Sequence, residues 1–158
     1  MGKKDEFNKR QGGISQSGRK RWTLFYGYKD DVQGWELRMD FDHKPELAEI
    51  KSIIISHINQ KTDEKILSGM VWNGMPIWLS QENQINYKVF HDQAIFTQGA
   101  SLPIKFKFGT DNNPVYYEFT TLMVLKDFYS KVLEWIQQSV GEGWAEKDGI
   151  DFNVYDVK

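Results

Sequence analysis

The sequence predicts an α+β fold in which antiparallel β-hairpins alternate with helices, in the order ββα-ββα-ββα-β. The helices are expected on one face of the sheet, and a flexible basic arm is expected at the N-terminus. Three observations carry this expectation. Apolar residues recur with period two in paired runs. Each pair is followed by a stretch with helical spacing. The first 21 residues show neither pattern.

The arm comes first. Residues 1–21 hold seven basic side chains (Lys3, Lys4, Lys9, Arg10, Arg19, Lys20 and Arg21) against Asp5 and Glu6, while the rest of the chain carries 13 basic residues against 20 acidic ones. The arm is otherwise rich in Gly, Ser and Gln, and such a segment has too little to bury to offset its ordering entropy. We therefore divide the chain into an arm, 1–21, and a single α+β domain, 22–158. The seven basic residues are candidates for contact with an acidic protein surface. Nucleic acid is a weaker alternative, because the acidic body would repel a phosphate backbone. A purely solubilising tail is the plainest reading.

From Trp22 the period is two: Trp22, Leu24, Tyr26 and Tyr28 alternate with Thr23, Phe25 and Gly27. A polar turn at 29–34 leads to Trp35, Leu37, Met39 and Phe41, completing a hairpin. Pro45 and Glu46 open a helix on which Leu47, Ile50, Ile54 and Ile58 share a face, ending near Lys61. The second hairpin, 67–72 with 75–79, closes on Asn73-Gly74, the pair that suits a type I′ turn. Ser80 is then an N-cap, and Gly99 can take the left-handed position that ends the helix. Ile85, Val89 and Phe96 form one stripe of that helix, with Phe90 and Ala94 beside it.

The third round pairs Ile104, Phe106 and Phe108 with Val115, Tyr117 and Phe119 across a turn at 109–114. A long helix follows with Leu122, Leu125, Phe128, Val132, Ile136 and Val140, expected to stop at Gly141 and Gly143. Ile150, Phe152 and Val154 suggest a short edge strand.

Composition limits the chemistry. Aromatics make up 15% of the 158 residues, enough for a packed core. The absence of cysteine removes disulfides, thiolate metal sites and cysteine nucleophiles. No apolar run nears the roughly 20 residues of a membrane helix, and the N-terminus has no signal-peptide core, so no membrane partner is expected. Gly109-Thr110 lacks the lysine of a phosphate loop, and Gly141-Glu142-Gly143 follows a helix where a dinucleotide fingerprint needs a strand. Asp40, Asp42 and His43 have the donor types of a metal site, but at a strand-to-helix junction they read as caps. His57 and His91 read as structural. The sequence advertises no catalytic site, and no cofactor or metal is expected.

The stretches Leu67-Ser68-Gly69-Met70-Val71-Trp72-Asn73-Gly74 and Ile77-Trp78-Leu79-Ser80-Gln81-Glu82-Asn83-Gln84-Ile85-Asn86-Tyr87 resemble a small domain family of unknown function encoded by phages and prophages. The family recurs in tail and tail-fibre-region proteins. The likeness continues through Leu102–Thr110 and Tyr117–Thr120 and closes at Gly143-Trp144-Ala145-Glu146-Lys147-Asp148 and Ile150-Asp151, spanning about residues 45–155. It implies a non-enzymatic virion or tail-associated structural protein, found in the host cytoplasm during assembly and then in the virion. Other phage structural proteins are its expected partners, with a homo-oligomer as a further option. The alternatives are a tail-fibre assembly chaperone and a nucleic-acid binder acting through the arm. Within this pattern Trp78 and Leu79 are expected in the core. Gln84, Asn86 and Trp144 are candidate interface residues, each with an internal role as the competing reading.

Overall fold

The computed structural model describes residues 3–6, 12–29 and 34–157, with the backbone alone for 3–6. Hairpins alternate with helices, as the sequence predicts. The strands are β1 (Lys3–Glu6), β2 (Gly13–Gln16), β3 (Trp22–Lys29), β4 (Trp35–Phe41), β5 (Met70–Trp72), β6 (Met75–Ile77), β7 (Ile104–Thr110) and β8 (Asn113–Phe119). The helices are α1 (Leu47–Ser68), α2 (Gln81–Phe96) and α3 (Leu122–Asp148), and a 3₁₀ turn, Phe152–Tyr155, follows α3. The strands form three antiparallel sheets where one was expected: β1-β4-β3-β2, β5-β6 and β7-β8. The chain packs as two compact units, one of Met1–Asn59 with Glu146–Lys158 and one of Gln60–Ala145.

In the first unit the inward residues of the hairpin, Leu24, Tyr26 and Phe41, meet Ile50, Ile54 and Ile58 of α1. Thr23 is buried beside them, and its hydroxyl donates to Asp40 Oδ1 at 2.8 Å. The arm expectation needs correction here. Residues 13–16 pair with β3 and residues 3–6 with β4, because both flanks of the β3–β4 hairpin offer backbone groups to any extended segment. Ile14 packs on the core, and the Gly12 N–H donates to the buried Glu36 carboxylate at 2.9 Å. The rest of the expected arm, 1–2 and 7–11, lies outside the described residues. The expected edge strand at 150–154 is also corrected. Asp151 Oδ1 accepts the Asn153 N–H at 2.9 Å and so caps a 3₁₀ turn.

The second unit is built around aromatic rings. Trp72 from β5, Phe106 and Phe108 from β7, Phe119 from β8, Tyr87 from α2 and Phe128 from α3 form one buried cluster. Trp72 also donates its indole N–H to Asp127 Oδ2 at 3.1 Å. Asn73 and Gly74 have φ of 48° and 76°, the left-handed pair that the type I′ turn requires. Ser80 caps α2 by accepting the Asn83 N–H at 3.2 Å.

Two helices run longer than their sequences suggest. The first continues to Ser68, beyond Lys61. The third passes through Gly141 and Gly143 to Asp148. Packing explains the second glycine. A Cβ at Gly143 would lie 2.5 Å from Thr62 Oγ1, so the two backbones approach closely at this point. Nearby, Lys65 Nζ pairs with the Glu142 carboxylate. A Cβ at Gly141 would meet nothing within 4 Å.

The pair makes a direct test. Gly141→Ala should raise stability by about 0.5–1 kcal/mol through helix propensity. Gly143→Ala should lower it despite the same propensity gain, and Thr62→Ala in the same chain should restore the difference. Urea midpoints of the four chains check this, and equal effects of the two alanines would contradict it.

Candidate interaction surface

The most exposed apolar surface of the second unit lies along α2 and α3. Ile85, Val89 and Phe96, which share one stripe of the helix, are 62%, 56% and 86% exposed. The buried residues of α2 are Tyr87 and Ala94, seven apart on another face. The helix thus carries two apolar faces. The core selects the one whose phenol ring packs 4.9 Å from Phe106 and 5.1 Å from Phe128. Burial pushes the Tyr87 hydroxyl pKa up to about 12. The outward face is left to solvent.

Between α2 and α3 this face becomes a groove of about 340 Å³, with Ile85, Leu133 and Ile136 as its apolar walls and Gln84 and Lys88 at its edge. Ile136, Val140 and Trp144 follow Leu133 at spacings of three, four and four, so they share one side of α3. That indole is 63% exposed.

The other sequence candidates divide. Gln84 has an internal partner, donating from Nε2 to the Leu79 carbonyl at 2.8 Å, and it lines the groove as well. Asn86 is exposed. Trp78, expected in the core, is 51% exposed, while its neighbour Leu79 is buried. Successive residues of an extended segment face opposite ways, and only one of the two can enter the core.

Of the seven basic residues, Arg19, Lys20 and Arg21 are exposed in the reversal between β2 and β3, where the Ser17 N–H donates to the Arg21 carbonyl at 2.8 Å. Lys9 and Arg10 lie outside the described residues, as do the side chains of Lys3 and Lys4. Arg21 shares a shallow cleft with Arg38, Asp40 and Asp42.

The histidines take local partners. His43 lies 2.9 Å from Asp42 Oδ1 through Nδ1 and 3.1 Å from Glu49 Oε2 through Nε2, bridging the strand end and the first turn of α1. His91 stacks on Tyr129, with ring centroids 4.4 Å apart. Among the described residues, no group of three or more His, Asp or Glu side chains is placed to hold a metal ion. Among the described residues, no helix is long and apolar enough to cross a membrane.

The His43 pair gives a pH prediction. The hydrogen bond to Asp42, followed by that to Glu49, raises the His43 pKa above its ordinary value. The hydrogen bond from His43 lowers the Asp42 carboxyl in turn. A raised folded-state pKa means that the stabilisation is complete below the unfolded value, about 6.5, and is lost as pH rises through the folded one. An NMR titration should give His43 a midpoint above that of an unfolded histidine, and Asp42→Asn should lower it. A midpoint unmoved by that substitution would contradict the pairing.

Compared with protein-family models, with curated proteins and with solved structures, the chain matches none.

Proposed function

We propose that this chain is a non-enzymatic structural protein associated with a bacteriophage virion or tail, acting through protein–protein contacts in which the α2–α3 groove seats a second copy of the chain. The observation that carries this reading is the exposed apolar side chains of α2 (Ile85, Val89 and Phe96) and α3 (Leu133 and Trp144), of which Ile85 and Leu133 line the groove. Phe96 and Trp144 alone expose on the order of 300 Å² of apolar surface. A standard interface covers roughly 800 Å² per partner, so these two rings supply a large share of one. Exposed rings of this kind serve as interface anchors.

Charge favours a second copy as the occupant. The first 21 residues carry a surplus of positive charge and the remainder a surplus of negative charge, so two copies attract each other wherever the basic end of one meets the acidic body of the next. Arg19, Lys20 and Arg21 are exposed for that contact. The setting in a phage particle comes from the resemblance of residues 45–155 to the phage and prophage domain family.

Quantitative mass spectrometry of purified particles beside infected cells tests the setting. A structural component is expected in the particle at a fixed copy number. Presence in cells with loss from finished particles would replace this reading with that of an assembly chaperone.

A further inference from the structure

Asn73 is the only asparagine of the chain that a glycine follows. The pair forms the two-residue loop between β5 and β6, and both residues are exposed. Among the described residues, no hydrogen bond holds the Asn73 side-chain amide or the Gly74 N–H. A Cβ built on Gly74 would meet nothing within 4 Å, so no neighbour crowds the loop. Only three residue pairs close it: Met70 with Ile77, Val71 with Pro76, and Trp72 with Met75. A hairpin this short opens at low cost.

We propose that Asn73 is a site of spontaneous modification, at which ammonia is lost and the residue becomes aspartate or isoaspartate. Asparagine is among the thermolabile side chains. When the loop opens enough for Asn73 to rotate out of its left-handed turn, the Gly74 nitrogen gives its proton to solvent and attacks Cγ. A new C–N bond forms there. The bond from Cγ to the side-chain nitrogen breaks, and that nitrogen takes a proton from solvent and leaves as ammonia. The product is a five-membered imide that includes the Gly74 nitrogen. Water then opens the ring at one of its two carbonyls. Opening at Cγ gives aspartate, and opening at the main-chain carbonyl leaves the chain running through Cγ as isoaspartate. One water is consumed and one ammonia released.

Other asparagines lack what the reaction needs. The Gln84 N–H, whose nitrogen would attack Asn83, donates to the Ser80 carbonyl at 2.9 Å, and Asn83 Nδ2 donates to the Trp78 carbonyl at 2.8 Å. Asn113 is followed by Pro114, which has no N–H. Asn153 Nδ2 donates to Asp151 Oδ1 at 2.8 Å, and the β-branched Val154 follows it. Conversion at Asn73 also reaches the core. Isoaspartate lengthens the main chain by a methylene in a loop that fits through the left-handed φ values of 48° and 76°. Trp72 adjoins that loop, buried with its ring centroid 5.1 Å from those of Tyr117 and Phe128. Hairpin and ring cluster therefore loosen together.

The test holds the full-length protein in warm, mildly alkaline buffer and follows each asparagine by peptide mapping with mass spectrometry. Asn73 should convert about tenfold or more faster than Asn83 or Asn153, a margin equal to one hydrogen bond that need not be broken. Gly74→Ala, whose Cβ hinders the attacking nitrogen, should slow conversion at Asn73 by a similar factor and leave the other sites unchanged. The isoaspartate form, separated by chromatography, should unfold at a lower urea midpoint than fresh protein. Asn73→Asp should stay near the unaltered chain, because aspartate keeps the length of the loop. Conversion at Asn73 no faster than at Asn83, or a rate indifferent to Gly74→Ala, would overturn the proposal. So would an isoaspartate form as stable as the fresh chain. The rates at Asn73, Asn83 and Asn153 are compared within one unaltered chain and stand even if Gly74→Ala fails to fold.

Discussion

Phe128→Ala is expected to destabilise the second unit by about 3–5 kcal/mol, the cost of deleting a fully buried ring whose space cannot close. The Phe128 ring is completely inaccessible and sits at the centre of the aromatic cluster. Its centroid lies 5.1 Å from Trp72, 5.1 Å from Tyr87, 5.2 Å from Phe108 and 5.3 Å from Phe119. These rings come from both hairpins and α2, so each would lose a partner at once, and edge-to-face contacts add to the area term. Rigid rings on separate elements relax poorly into a void, which places the cost toward the top of the range. Phe128→Leu, which keeps most of the volume, should cost well under half as much. Urea unfolding monitored by tryptophan fluorescence checks both, because Trp72 reports on the same cluster. Equal losses from the two substitutions would contradict a close-packed centre.

Gly109→Ala is expected to cost about 2–3 kcal/mol through the backbone alone. Gly109 pairs with Pro114 near the end of the β7–β8 hairpin, and its φ is +81°. A Cβ there would overlap the Asn113 carbonyl oxygen and crowd the Val115 N–H at 3.2 Å, so relief requires moving the opposite strand. No flexible side chain can yield in its place. By contrast, Gly74 also has positive φ, at +76°, but nothing lies within 4 Å of the position a Cβ would take. Gly74→Ala should therefore show only the dihedral penalty. Ranking the two by thermal or urea midpoint separates clash from conformation. A larger loss from Gly74→Ala than from Gly109→Ala would contradict the clash at Gly109.

Local chemistry made much of this fold legible in the sequence. Asn73-Gly74, the Ser80 cap and the alternation in β3, β4, β7 and β8 each depend on neighbours a few residues away, and each stands where the pattern put it. What the sequence could not resolve depends on contacts distant along the chain. Ile85, Val89 and Phe96 satisfy helical periodicity as well as Tyr87 and Ala94 do, and only the facing rings decide which stripe is buried. Gly143 reads as a helix stop until Thr62 is seen against it. Residues 13–16 bury little in themselves, yet a waiting strand edge and the Glu36 carboxylate hold them. For the candidate surface, Trp144 and Gln84 were visible as residues out of place, whereas the groove that joins their helices appears only once α2 and α3 are packed.

The claim that copies of this chain meet through the α2–α3 surface is tested most directly by the solution mass of the full-length protein, measured by light scattering at about 0.1 M salt, where charge attraction is only partly screened. The unaltered chain is expected as a closed oligomer, a whole multiple of 18.5 kDa. Ile85→Lys with Leu133→Lys should reduce it to the monomer while leaving the helical spectrum intact, because the two side chains are already 62% and 49% exposed. An unaltered chain that stays at 18.5 kDa at every concentration, or an oligomer indifferent to both lysines, would contradict the claim.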